Sequence, residues 1–438
     1  MNSNTVVKKM LIKFLLSSAL LFSFIVLSFA QDSVYLSLTA KSQRFDIAVS
    51  PFTTIRKTSQ EESYASLINK VIVNDLELSR YFNIITNNPV AKYDFDSQMA
   101  YWLAAGSSVV LSGSVTVTGS GQIALAVNLY DVVSKELVWK KSYGAQISNY
   151  RMIAHEASNE IVRRFTGENG IALSKIAFIN NNTKYKELYT IDYDGHNLKR
   201  LTRDNKLNLL PKWSPTGTQI LYTSYLFNNP DLFALDLIRN KRIVISNYQG
   251  LNSAAAYSPD ESKILLTLSR GRYPNLYMIN KNGKILQRMT GGYSIDTSPS
   301  FSPNGQEVVF ISDRLGYPQM YIMNASGGNI RRLPTSGFCD SPAWSPRGDK
   351  IVFTMRTDGN FSLYLYDLRT ANITRLTHSK GDNENPVWSP DGRFIAFSST
   401  RSGRSEIYIV SIDGSSLRKL ADIPGNSYTP SWSTNIKL

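Results

Sequence analysis

One short sequence recurs along the second part of the chain at a nearly fixed interval. It reads Trp213-Ser214-Pro215-Thr216-Gly217, Tyr257-Ser258-Pro259-Asp260-Glu261, Phe301-Ser302-Pro303-Asn304-Gly305, Trp344-Ser345-Pro346-Arg347-Gly348 and Trp388-Ser389-Pro390-Asp391-Gly392, with a truncated copy at Trp432-Ser433-Thr434. The aromatic residues stand 44, 44, 43, 44 and 44 apart. A constant period of this size means one supersecondary unit, repeated because a single copy cannot bury its own apolar face. Within each unit the aromatic ends a strand and Ser-Pro-Asp-Gly makes a turn, in which proline presets φ and glycine accepts a positive φ. An alternating apolar strand follows, at residues 220–222, 264–266, 308–310, 351–353 and 395–397. A third strand is exemplified by Leu232-Phe233-Ala234-Leu235, and a fourth ends in Arg200-Leu201-Thr202, Arg288-Met289-Thr290 or Arg375-Leu376-Thr377. Four short strands per repeat describe the blades of a β-propeller.

The ends of the array set the blade count. Ile176-Ala177-Phe178, Leu188-Tyr189-Thr190-Ile191 and Leu198-Lys199-Arg200-Leu201 read as second, third and fourth strands, with no aromatic-Ser-Pro before them. The surplus strand at Trp432 supplies the missing first one. Residues 169–432 then make six units of 44, predicting a six-bladed propeller over 169–438 closed by its C-terminal strand, which leaves no sheet edge open between first and last blade. Thirteen residues before each blade aromatic stand Arg200, Val244, Arg288, Arg331, Arg375 and Lys419. Cations on an outermost strand are expected to discourage edge-to-edge association, with attraction to anionic envelope components as the other reading. Bases spread around a circumference disfavour nucleic acid as a partner.

The first thirty residues are of another kind. Lys8, Lys9 and Lys13 precede an apolar run, residues 14–30, that is interrupted by serines and ends in Ser28-Phe29-Ala30. That pattern is a secretory signal peptide, residues 1–30, cleaved after Ala30. The three lysines are part of a net charge of +14, and the 42% hydrophobic content belongs to a folded globular chain. Cys339 is the single cysteine, so no intramolecular disulfide forms and no cysteine after the signal peptide carries a lipid. With His155, His196 and His378 scattered, no zinc spacing appears, no cofactor is expected, and membrane association comes only through partners.

Residues 31–168 read as a small α/β domain, opening with a frayed or partner-captured segment at 31–42. Phe45-Asp46-Ile47-Ala48-Val49 is a strand. Ser59-Gln60-Glu61-Glu62 reads as a capping box, opening a helix that shares Tyr64, Leu67, Ile68, Val71 and Ile72 on one face. A second helix is predicted over 97–105, strands over 108–118, 122–131 and 137–143, and a last helix over 150–165. His155 on that helix has no serine or cysteine nucleophile motif to serve, so a packing or domain-interface role is expected of it.

Ala154-His155-Glu156-Ala157-Ser158-Asn159-Glu160-Ile161, Thr166-Gly167-Glu168-Asn169-Gly170 and Ile176-Ala177-Phe178, followed by the Trp-Ser-Pro-Asp-Gly units, together resemble the TolB family, the periplasmic component of the Tol-Pal system. The resemblance covers essentially the whole chain after the signal peptide. It departs at Thr216, Asn304 and Arg347 in the Asp place and at Glu261 in the Gly place. It implies a periplasmic, monomeric scaffold without catalysis. Such a scaffold binds the outer-membrane lipoprotein Pal at the propeller mouth and the inner-membrane protein TolA through its N-terminal segment, supporting outer-membrane integrity and constriction during division. Carried onto this sequence, the Pal contact falls on Leu251, Asn252, Ser253, Ala254, Asp296 and Thr297, with Asp340, Glu384 and Tyr428 at equivalent inter-blade loops; the TolA contact falls on Val34, Tyr35, Leu36 and Leu38. The same loop residues suit ordinary loop chemistry as well as docking. The competing expectation is a secreted hydrolase or lyase with its site in the central channel, where Asp296, Asp340 or Glu384 could hold a metal; no Gly-x-Ser-x-Gly elbow accompanies it.

Overall fold

The computed structural model describes residues 44–86, 94–357, 359–378 and 380–436. The signal peptide and the segment 31–42, with Val34, Tyr35, Leu36 and Leu38, lie outside the described residues.

The first domain is a mixed sheet with helices on both faces. Its elements are β1 (Phe45–Val49), β2 (Thr53–Thr54), α1 (Ser59–Ser79), β3 (Phe82–Ile85), α2 (Phe95–Ala104), β4 (Val109–Val117), β5 (Gln122–Asp131), β6 (Leu137–Gln146) and α3 (Tyr150–Thr166). The sheet order is β3-β1-β4-β5-β6, with β2 beside β4. β1 runs parallel to β3 and β4, so β1–α1–β3 is a crossover unit, while β4–β5–β6 is an antiparallel meander turned at Gly119-Ser120-Gly121. Ile68, Ile72 and Leu76 of α1 pack with Ile153, Ala157 and Ile161 of α3 over Leu111, Leu125 and Val127. Met99 and Trp102 of α2 cover Ala48 and Val110 on the other face.

Three expectations for this domain change. The N-cap of α1 is Thr58, not Ser59: the Thr58 hydroxyl accepts the amide of Glu61 at 3.2 Å, and Glu61 reaches back to the amide of Arg56 at 2.9 Å. The cap is therefore Thr58, one residue earlier, and Glu61 answers the Arg56 amide, not that of the cap itself. Leu67 lies on the exposed flank of α1, because the 3.6-residue period carries the buried stripe through Ala65, Ile68, Ile72 and Leu76. Strand β3 was not anticipated, since Phe82-Asn83-Ile84-Ile85 is too short to carry a period of its own.

The second domain is the six-bladed propeller. Five consecutive four-stranded sheets run from Asn208–Trp213 to Leu417–Lys419, each in simple up-and-down order. The sixth combines Ser427–Asn435 with Ser174–Asn180, Glu187–Asp192 and Lys199–Arg200. Trp432 pairs with Ile176 in this sheet, and its indole N–H donates to Ser174 Oγ at 2.9 Å. The second strands do not alternate as expected. Gln219–Ser224 is buried at five consecutive positions, and Phe394–Ser399 at all six, because blades stack on both faces of every sheet.

The basic residues of the fourth strands are not free edge charges. Arg200, Arg288 and Arg375 each donate Nε to the carbonyl two residues on, at 2.8, 2.9 and 2.9 Å, and reach the start of the neighbouring third strand at Glu187, Asn275 and Ser362. The threonine of the same Arg-x-Thr accepts a third-strand amide in all three blades, at 2.9, 3.0 and 2.9 Å. Lys419 and Arg331 pair with Glu406 and Glu307. In five of the six blades these bases fasten the outer strand to its interior.

Candidate functional site

The inner strand of every blade carries the same irregularity. Between Leu209 and Lys212, Ser253 and Ala256, Thr297 and Ser300, Asp340 and Ala343, Glu384 and Val387, and Tyr428 and Ser431, the pairing shifts. One residue inside each shift adopts a positive φ of 47–54°: Leu210, Ala254, Ser298, Ser341, Asn385 and Thr429. Five of the six are followed by proline, and these residues together form a narrow neck around the channel. A bulge at a fixed position in all six blades bends each inner strand at the same height and re-aims the residues above it.

Above the neck, strand alternation divides the mouth residues into two rings. Asn252 and Asp296 are 0% exposed, with Cys339 and Asn383 at the same level, so they point into the protein and not toward a partner. Asn252 accepts from Ser246 Oγ at 2.7 Å and from the Tyr248 amide at 3.0 Å, and donates to the carbonyls of Pro230, Tyr248 and Gly250. Asp296 is paired with Arg314 at 3.1 Å and accepts from Asn275. Both are the first residues of inner strands, not loop residues, and their side chains are spent on tying the loops down.

The next ring is Leu209, Ser253, Thr297, Asp340, Glu384 and Tyr428. Ser253 is itself buried and bonded to Thr223, and Thr297 accepts from Thr267 at 3.2 Å. Tyr428 lies under the ammonium of Lys186. Burial raises the carboxyl pKa of Asp340, against the Ser341 amide that it accepts at 2.6 Å. Burial also raises that of Glu384, helped by Asp382 and Asp340 nearby. Neither carboxyl has a basic partner among the described residues. Leu251 and Ala254 are partly exposed, the latter at the neck.

Around the mouth the loops expose apolar side chains that no motif or spacing singles out. Tyr293 is 87% exposed and Leu315 59%, and Ile295, Tyr317 and Phe338 also stand in solvent. Tyr293 meets Tyr273 edge-on, and Phe338 meets Phe361. These residues belong to loops of neighbouring blades at the same end of the propeller.

His155 sits at the junction of the two domains and is 3% exposed. Its Nδ1–H donates to Asp75 of α1 at 2.7 Å, and the hydroxyl of Tyr193, from the propeller, donates to the other Asp75 oxygen at 2.7 Å. Arg151 lies against Asp194 and approaches His155 Nε2 at 3.5 Å. Burial opposes the imidazolium, but Asp75 and Asp194 outweigh it and raise the His155 pKa. Asp75, His155 and Asp194 bring ligand atoms within 4.8 Å of one another, yet Tyr193 and Arg151 already occupy their free positions, so the cluster is a closed network. Nearby, Glu168 accepts from Tyr81 at 2.8 Å and from Arg347 at 2.7 Å, and Arg393 stacks over the Tyr81 ring. Arg347, a departure within the turn motif, thus serves the domain junction. Gly170 presses on Asn159 so closely that a Cβ there would collide with it.

Comparison with known proteins follows this division. Residues 162–436 match the family model described as the TolB beta propeller domain, and residues 38–138 match the TolB amino-terminal domain. Among curated proteins the chain is similar to the Tol-Pal system protein TolB of Desulfosudis oleivorans, 34% identical over 48% of this chain and 49% of that one. It is also similar to the protein of the same description from Dinoroseobacter shibae, 35% identical over 44% of each. These matches span about half the length of either relative. A crystal structure of TolB from Acinetobacter baumannii superposes with a TM-score of 0.76 at 27% identity, covering 89% of this chain and 96% of that chain.

Proposed function

Because the chain belongs to the TolB family, we propose that its propeller mouth docks the outer-membrane lipoprotein Pal in the periplasm, while residues 31–42 contact TolA, so that the protein helps maintain outer-membrane integrity and constriction during division. The chain is a Tol-Pal scaffold, not an enzyme. It is divided into the signal peptide 1–30, the α/β domain 31–168 and the propeller 169–438, and works as a monomer.

The observation that carries the docking reading is the exposure of Tyr293, Ile295, Leu315, Tyr317 and Phe338 in mouth loops beside a ring of short polar groups. Exposed apolar side chains on neighbouring loops, beside hydrogen-bonding groups, suit a protein partner more than a small anion. Leu251, Ala254, Thr297, Asp340, Glu384 and Tyr428 stay in the proposed contact. Asn252, Ser253 and Asp296 support it from behind.

Calorimetry with the soluble domain of Pal tests this. Y293D and T297R are expected to weaken binding at unchanged melting temperature, since an unpaired charge at an interface costs several kcal/mol. Unchanged affinity in both would move the contact off this face.

A further inference from the structure

Lys212 breaks the sixfold pattern of the channel. It stands directly before the blade aromatic Trp213, and its counterparts are Ala256, Ser300, Ala343, Val387 and Ser431. Five blades place a short side chain at this level and one places a long cationic one. Lys212 lines both the neck, a cavity of about 60 Å³, and the wider vestibule below it, of about 380 Å³. Among the described residues no other Lys, Arg, His, Asp or Glu lines either cavity.

The lysine is also unanswered. Buried carboxylates of the propeller have partners, such as Glu187 with Arg200, Asp296 with Arg314 and Glu406 with Lys419. The half-buried Lys212 ammonium has no hydrogen bond or ion pair among the described residues, and its partial desolvation lowers its pKa with no carboxylate to offset it. A lone cation in such surroundings is costly, and an anion beside it removes the cost.

We propose that the vestibule is a binding site for a small organic monocarboxylate, its carboxylate held by Lys212 and its apolar body lying against the prolines and small apolar side chains of the wall. The walls decide the ligand class. One cation matches one negative charge and leaves nothing for the second charge of a phosphate. The remaining lining is mainly apolar, with prolines, Ala256, Ala343, Val387 and the edges of the blade aromatics set among uncharged serines and Thr434, which suits a hydrocarbon body. The carboxylate restores the ammonium, so binding takes up protons wherever the free amine is partly neutral. The site is independent of the docking proposed for the mouth.

The test is calorimetry of the purified protein with hexanoate, in two buffers of different ionisation enthalpy. Saturable binding is expected, with a buffer-dependent heat reporting proton uptake and an affinity that falls as pH rises. K212M is expected to weaken it by roughly tenfold or more, the worth of a charge-assisted hydrogen bond. Hexanol is expected to bind more weakly than hexanoate. K212A provides the same comparison if K212M melts at a lower temperature than the parent. The proposal is overturned by the absence of saturable hexanoate binding at millimolar concentration, by equal affinity in the folded Lys212 variant, or by hexanol binding as tightly.

Discussion

Asp75 and His155 meet across the packed faces of α1 and α3 at 2.7 Å, and the propeller completes the pair through the Tyr193 hydroxyl on the other Asp75 oxygen. The residue that a catalytic reading would single out is thus a structural connection between the two domains.

The raised pKa of His155 gives that connection a pH dependence. Its stabilisation is complete below the unfolded histidine pKa and is lost as pH rises through the higher folded value. Asp194, whose pKa is lowered by His155 and Arg151 against its burial, contributes with the opposite sign and loses its share only in acid. Thermal unfolding across this range should show H155Q less stable than wild type at pH 6 by about 2–4 kcal/mol, with the gap narrowing toward pH 9. A constant gap would mean that folding does not shift the His155 pKa.

Ring closure is tested at Trp432. W432A removes a buried aromatic and the indole bond to Ser174, and should cost about 3–5 kcal/mol by denaturant unfolding. Loss of residues 428–438 should leave the propeller unfolded at room temperature, by circular dichroism.

The two mouth rings should separate stability from binding. N252L strands five hydrogen-bonding groups and should lower stability by about 2–4 kcal/mol. T297R should leave the melting temperature within a degree or two while weakening the partner. Equal melting losses in both would mean that the rings are not distinct.

If Arg200, Arg288 and Arg375 fasten blades, R288M should cost about 1–2 kcal/mol and leave the protein monomeric by size-exclusion chromatography. A shift to larger species at unchanged stability would restore the edge-charge reading.

What the sequence disclosed depended on range. The blade count and closure were legible because each repeat writes its own turn, so six copies of a weak signal reinforce one another. The mouth residues are less legible, because sequence position alone does not show that Asn252 and Asp296 turn inward at the first position of their strands while Thr297, one residue on, stays partly exposed. The partner of His155 was invisible, since Asp75 lies eighty residues away on another helix. Lys212 could have been found by comparing the residue before each aromatic, where one lysine stands among alanines, serines and a valine.

The strand Ser427–Asn435 pairs with Ser174–Asn180, made about two hundred and fifty residues earlier in synthesis. A chain emerging N-terminus first therefore holds five blades and three quarters of a sixth with nothing to complete them. Formation of the ring waits for its closing segment, and contacts so distant in sequence are slow to form. Until then both faces of the gap are open to other chains. The protein is consequently most exposed to chaperones and proteases just before its final strand arrives, and a nonsense codon in that strand would discard nearly the whole investment of synthesis.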